Sequence, residues 1–318
     1  MSLKFFRALK QHDLESIKTV PKSDLHNHFV LGGNRDHLMS LTGHSVQHCT
    51  KVLQSMNEMH NWYDKYIGNA FETREMRLKL LESTLYQASQ DGVEVLEIGE
   101  DAWGLSKFFN SDIGGLINTF KKIAEKVAPN IELRFQIGVS RHCSIKDIER
   151  WLEPVWGNHE VYSIDLYGDE LSQPIENFIP IYKKAKQHGL ALKAHVGEWG
   201  SAEDVRYAVD CLELDEVQHG ISAINSEEVL SYLERNNIRL NVTPTSNLML
   251  GRIRSYAEHP IKILHRSGIE VTINSDDVLI FDSDVSKEYL RLFTSNTLSA
   301  EELNHIRLNG LKQISELR

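Results

Sequence analysis

The chain of 318 residues has little that would staple it covalently or carry it through a membrane. Its three cysteines, Cys49, Cys143 and Cys211, are far apart and odd in number. They make no disulfide framework and no CxxC pair of zinc thiolates, and they fit a reducing, cytoplasmic setting. No run of 18 apolar residues occurs, so no membrane-spanning helix is expected. The first stretch, MSLKFFRALKQHDLESIKTVP, is charged throughout and lacks the apolar core of a secretory leader. Basic runs never exceed two residues and the formal net charge is −10, which argues against a nucleic-acid surface. There is no internal repeat, low-complexity tract or Pro/Gly/Ser-rich linker, so residues 1–318 read as a single domain.

Hydrophobic residues make up 41% of the chain, enough for a packed core, and they recur in alternating short runs and amphipathic stretches. Strand candidates are 23–28, 93–100, 131–140, 161–168, 190–198, 216–220, 238–246 and 270–277. Between them lie helical patterns, such as 73–90, 113–127, 145–156, 175–188, 202–212, 226–236 and 261–267. A further helix is expected over 4–18. Strands that alternate with helices imply a parallel sheet, and eight such units imply an α/β (β/α)8 TIM barrel. A helical insertion, 34–70, follows the first strand and carries the aromatics Trp62, Tyr63, Tyr66 and Phe71. These either form a lid or pack the insertion. A doubly wound open sheet is the alternative, but no Gly-rich phosphate turn follows any strand.

A barrel places its chemistry at the C-terminal ends of its strands. The candidate residues fall there: His26 and His28 after the first strand, the 165–169 acids after the fourth, His195 and Glu198 after the fifth, His219 after the sixth, Asp276 and Asp277 after the eighth. Two adjacent carboxylates with apolar flanks, in NSDDVLIF, are costly to bury without a cation or a ligand proton. HxH on a strand puts both imidazoles on one face. With His195 as a third nitrogen and Asp276 as an oxygen, the set suits a catalytic zinc rather than a structural one. Glu198 reads as a general acid kept protonated by burial, and His219 as a base acting on water beside the metal. Asp277 is better placed for substrate, the bland reading being a helix N-cap. His44 and His48 have no acid partner and read as surface residues.

PKSDLHNHF (21–29), IDLYGDE (164–170), AHVGE (194–198), QHGISA (218–223), TPTSN (243–247) and NSDD (274–277) together resemble the adenosine deaminase family of metal-dependent amidohydrolases. The resemblance implies one zinc ion per chain held by His26, His28, His195 and Asp276. It implies Glu198 as proton donor to purine N1, His219 as base, Asp277 at purine N7 and the Gly168 backbone N–H at N3. The activity implied is hydrolytic deamination of a 6-aminopurine, with adenosine and 2′-deoxyadenosine leading and adenine, a modified adenosine or another mononuclear amidohydrolase reaction as the alternatives. The partner is then a small purine, with neither nucleic acid nor membrane involved. The chain departs from the family at three places. Val30 stands where the nucleoside enzymes carry an acid for the ribose, with Asn34, Arg35 and Asp36 the nearest polar replacements. Tyr167 and Gln218 replace a usual small residue and a usual glycine. Strand 4 offers no lysine for a second, bridged metal, as other amidohydrolases do.

Overall fold

A computed structural model describes residues 1–313; the last five residues of the expected 1–318 domain lie outside the described residues. Eight strands run parallel in sequence order: β1 (Lys22–Asp24), β2 (Val93–Asp101), β3 (Glu132–Ser140), β4 (Val161–Tyr167), β5 (Ala191–Val196), β6 (Glu216–His219), β7 (Arg239–Val242) and β8 (Val271–Ile273). The sheet curls into a barrel whose seam is closed by a parallel bridge between Asn27 and Asp276. There the Asp276 N–H donates to the His26 carbonyl at 2.9 Å. Asp24 reinforces the seam by accepting from the Ser275 hydroxyl at 2.5 Å and from Asn27 Nδ2 at 3.0 Å. This is the expected (β/α)8 barrel.

The period of two along each strand sorts the side chains. Leu192, Ala194, Leu240, Val242, Val271 and Ile273 are buried between the sheet and the surrounding helices. The alternate positions hold Lys193, Glu216, Arg239, Asn241 and Thr272, also buried. Lys193 Nζ on β5 meets Glu97 on β2 at 2.8 Å, a contact between non-adjacent strands that must cross the barrel lumen. The helices supply the apolar counterpart. Ile113–Val127 buries Ile113, Leu116, Ile117, Phe120 and Ala124, one stripe at helical spacing, and Asp112 caps its start. Each such side chain contributes about 1.5–3 kcal/mol by leaving water.

The insertion after β1 is helical, over Arg35–Thr42, Met56–Tyr66 and Gly68–Phe71. The expected 4–18 helix is split into Ser2–Lys10 and Leu14–Lys18, because His12 turns into the left-handed region (φ 54°) and Asp13 restarts the chain as an N-cap. The seventh strand stops at Val242, since Pro244 opens a helix, Pro244–Met249, where a strand to 246 was expected. The helix Ala102–Phe109, capped by Asp101, was not among the expected elements.

Candidate active site

β1 ends at Asp24, so His26 and His28 stand just beyond the strand rather than within it. They still converge, because the seam bridge ties their segment to the residues after β8. His28 Nε2 lies 3.3 Å and His26 Nε2 3.5 Å from Asp276 Oδ1. Two ligands held at about 2.1 Å in a tetrahedral shell stand roughly 3.4 Å apart. His26, His195 and His219 bring ring nitrogens within 4.8 Å of one another. The hydrogen bonding fixes which nitrogens are free. His26 Nδ1 faces the Asn241 carbonyl at 3.1 Å and so carries the hydrogen. His195 Nδ1 meets Asp165 Oδ1 at 3.2 Å. The Nε2 atoms of both rings are buried with no hydrogen-bond partner. Orphaned, converging imidazole lone pairs beside a carboxylate are the donor set of a divalent cation, and these residues fit zinc.

Asp276 (φ 59°) and His219 (φ 66°) both sit in the left-handed region, a costly conformation for residues with a Cβ that the surrounding bonds must hold. Burial opposes a charge on Asp276, but His26 and His28 outweigh it and hold the carboxyl well below its usual range. Burial also works against a charged His28, yet the Asp276 and Asp277 carboxylates lift it to about 9. Asp165 likewise stays ionised against burial because His195 and His26 face it. Its second oxygen accepts from Gln136 Nε2 and Gln218 Nε2, each at 3.2 Å. The unusual Gln218 thus braces the carboxylate behind His195.

Glu198 follows β5 on a loop braced by Glu170, which accepts from the backbone N–H groups of Gly197 (2.6 Å), Glu198 (3.2 Å) and Trp199 (2.7 Å). The Glu198 side chain is 9% exposed, and burial, then the Asp276 and Glu170 charges, push its carboxyl well above the usual range. Its Oε1 accepts from Asn247 Nδ2 at 3.3 Å. The orientation of that amide follows from a further contact. The Ile261 N–H donates to His259 Nδ1 at 3.0 Å, so the neutral ring carries its hydrogen on Nε2 and donates to Asn247 Oδ1 at 3.3 Å. Burial alone pushes His259 down to about 3, which keeps it neutral. His219 Nδ1 is met by Thr243 Oγ1 at 3.0 Å and Asn247 Nδ2 at 3.3 Å. Burial, then the His26 ring, lower His219 well below its ordinary value.

Asp277 precedes the short helix Val278–Phe281 but makes no side-chain cap, so the N-cap reading does not describe its side chain. Its Oδ1 is buried without a partner, and burial followed by the Asp276 charge raises its carboxyl well above the usual range. His28, His195, Glu198, His219, Asp276, Asp277 and Gly168 (φ 91°) all line one cavity of about 310 Å³, with His26, 1% exposed, joined through the histidine cluster. His26 apart, the residues given metal, catalytic or purine-binding roles from the sequence therefore line one cavity. The insertion divides: Tyr63, Met59 and His60 face the cavity, whereas Trp62 and Phe71 are buried in the core. Val30 lines the cavity, but Asn34, Arg35 and Asp36 do not. Asn34 caps a helix and bonds Gln87, and Arg35 pairs with Asp282 at 2.8 Å. Sequence reasoning passed over Asn247, His259 and Glu170 as individual residues, although two of them stand inside quoted motifs.

The family model described as adenosine deaminase matches residues 21–315. A curated relative from Treponema pallidum (strain Nichols), named provisionally as an adenosine/adenine deaminase, is 32% identical over 297 residues, spanning 92% of this chain and 99% of its own. Among solved structures, a zinc-bound amidohydrolase from Burkholderia ambifaria superposes with a TM-score of 0.76 at 21% identity, over 93% of this chain and 85% of that one. An Arabidopsis N6-mAMP deaminase does so with a TM-score of 0.78 at 18% identity, over 96% and 98%. At these identities the two structures speak for the fold alone.

Proposed function

This chain belongs to the adenosine deaminase family, which makes it a hydrolase acting on C–N bonds of cyclic amidines, and we propose that its substrate is a 6-aminopurine, with adenosine and 2′-deoxyadenosine first. The observation that carries the reading is the pair of orphaned Nε2 atoms on His26 and His195, converging with His28 and Asp276 beside a buried, proton-holding Glu198. His26, His28, His195 and Asp276 would hold one zinc ion. Zinc bound there would act as a Lewis acid that lowers the pKa of water and offsets negative charge developing on oxygen.

The remaining steps belong to the chain's own groups. Purine N1, N3 and N7 are all acceptors, so each needs a donor from the protein. Glu198 holds a proton that it can place on N1 as attack at C6 proceeds, which makes C6 more electrophilic. The Gly168 backbone N–H suits N3. A protonated Asp277 carboxyl, its Oδ1 without another partner, suits N7. His219 turns its other nitrogen toward the metal ligands to orient and deprotonate water, which requires Nδ1 to carry the hydrogen and donate to Thr243 Oγ1 while the Asn247 amide serves Glu198. Ammonia leaves after proton transfer to the amine.

Adenine is the second reading, favoured by Val30 standing in the cavity where a ribose-binding acid would be expected. The test is ammonia release by zinc-loaded protein with adenosine, 2′-deoxyadenosine and adenine side by side, with Glu198→Gln as the blank. Nucleoside turnover lost in the variant supports the first reading. Adenine turnover alone moves it to the base. Silence on all three removes it.

A further inference from the structure

The cavity wall away from the metal ligands has a different chemistry from the reacting end. Tyr167 lies between the two. Its ring centroid is 5.1 Å from that of His28 and 5.8 Å from that of His195, and its hydroxyl reaches the Asp101 carboxyl. The ring occupies the space over Gly138, where a Cβ would stand 2.3 Å from Tyr167 Cε1. Asp101 also accepts from Ser140 Oγ at 2.5 Å and from the Trp103 N–H at 2.8 Å. Its neighbour Glu100 is gripped by both arms of Arg77, at 2.6 and 2.5 Å. The guanidinium is sandwiched among the rings of Phe108 (4.6 Å), Trp103 (5.2 Å) and Phe29 (5.3 Å).

The described residues of this wall leave no cation free for an anion. Among the described residues that line the cavity, Arg77 is the sole arginine or lysine, and Glu100 already neutralises it. Lys107, beside the rim, is paired with Glu72 at 2.9 Å. Asp101 has no paired cation among the described residues, and burial pushes its carboxyl up to about 7, so it gives an anion no favourable partner. His60 and His142 face each other across 6.5 Å, and burial, then the His60 ring, lower His142, so that His142 is no fixed positive charge at neutral pH. Phosphate sites are built from free arginine forks, lysines or exposed helix N-termini. Recruiting Arg77 to a phosphate would strip Glu100 of its partner inside the protein, which is strongly unfavourable.

We infer that the Glu100–Asp101 wall restricts this site to purines without an anionic group, admitting base and nucleoside and rejecting nucleoside 5′-monophosphates. The inference rests on the proposed deamination. A phosphate brought to a wall without a free cation gives up its water with nothing to compensate it, and whatever fraction of Asp101 is ionised adds repulsion. The experiment compares ammonia release from AMP, adenosine and adenine by the zinc-loaded wild type, and calorimetric binding of inosine against IMP. An AMP kcat/KM below about one-thirtieth of the best uncharged substrate is expected, and any higher ratio overturns the inference. If none of the three is deaminated, the functional reading fails by itself, and the binding arm still decides on charge: IMP binding as tightly as inosine overturns the inference, and weaker IMP binding upholds it. Glu100→Gln frees Arg77, so the AMP-to-adenosine ratio of kcat/KM should rise at least about tenfold. An unchanged ratio in the folded variant refutes the assignment. Asp101→Asn serves the same comparison if Glu100→Gln does not fold.

Discussion

Asp165→Asn is a nearly isosteric change that should loosen the proposed zinc without touching a proposed ligand. The carboxylate is fully buried on β4, with one oxygen on His195 Nδ1 at 3.2 Å and the other accepting from Gln136 and Gln218. An asparagine satisfies only one side. With its oxygen toward His195, its NH2 opposes two glutamine NH2 groups, and turning Gln218 over to relieve this forfeits its bond to the Leu25 carbonyl (3.3 Å). With its NH2 toward His195, Nδ1 must become the acceptor, and the ring hydrogen moves to Nε2, the atom the metal needs. Removing the partner behind a ligating histidine costs about 10–100-fold in metal affinity, or about 1.4–2.7 kcal/mol. The unmatched buried donor adds about 1–3 kcal/mol of lost stability. Zinc affinity is measured by competition with a chromophoric chelator, and stability by urea denaturation of the metal-free protein. The expected result is zinc affinity down by at least about tenfold in a variant that still folds. Zinc bound within twofold of wild type would refute the argument that Asp165 holds the ligand tautomer.

Three other substitutions probe separate parts of the molecule. Asn247→Leu removes the donor to Glu198 Oε1 and should lower kcat about 10–100-fold with KM nearly unchanged; an unaltered kcat in steady-state ammonia release would show that Glu198 needs no such support. Glu288 is buried and pushed up to about 7 from 4.5, so its protonated form contributes stability that is complete below pH 4.5 and lost as pH rises through 7. Glu288→Gln lacks this term, and the stability difference between variant and wild type should move in the variant's favour by about 3 kcal/mol (about 2.5 pH units at 1.36 each) from pH 4.5 to 8. Urea denaturation at both pH values checks it, and a pH-independent difference is the contrary result. Gly138→Ala should cost about 1–3 kcal/mol through collision with Tyr167; the same change in a Tyr167→Ala background should cost almost nothing, and equal costs in both would mean that the ring is not the obstacle.

The barrel and the core of the site were readable because their signals are local. HxH, the paired Asp276–Asp277 and the strand-then-helix alternation need only neighbours in sequence to be recognised. What escaped depends on the far side of the barrel. The end of β1 at Asp24 is set by its partner strand, not by Leu25–His28, whose composition still suits a strand. Asn34 and Arg35 are polar and near the altered loop, yet helix capping and the Asp282 pair claim them first. Asn247 and His259 belong to one hydrogen-bonded line, but 12 residues and a turn separate them. The single available hint was His259 before Pro260, and no periodicity marks it.

The polar barrel interior explains why the proposed metal ligands are held so definitely. Lys193 and His195 share one face of β5, and Glu216 and Gln218 one face of β6, so each strand carries a charged layer and then a site layer. In the lower layer Lys193 meets Glu97 (2.8 Å) and Glu216 (3.1 Å), and Arg239 stands 3.6 Å from Glu216. Such buried charges contribute little net stability compared with aliphatic packing. Their use is positional. Glu216 accepts from Asn241 Nδ2 at 2.5 Å, Asn241 Oδ1 accepts from Thr272, and the Asn241 carbonyl takes the hydrogen of His26 Nδ1. An aliphatic layer would leave the Asn241 side chain without one of these anchors. The ionic layer therefore sets the residue that sets the His26 tautomer, as Asp165 does for His195, and the Nε2 atoms of both proposed ligands are left free.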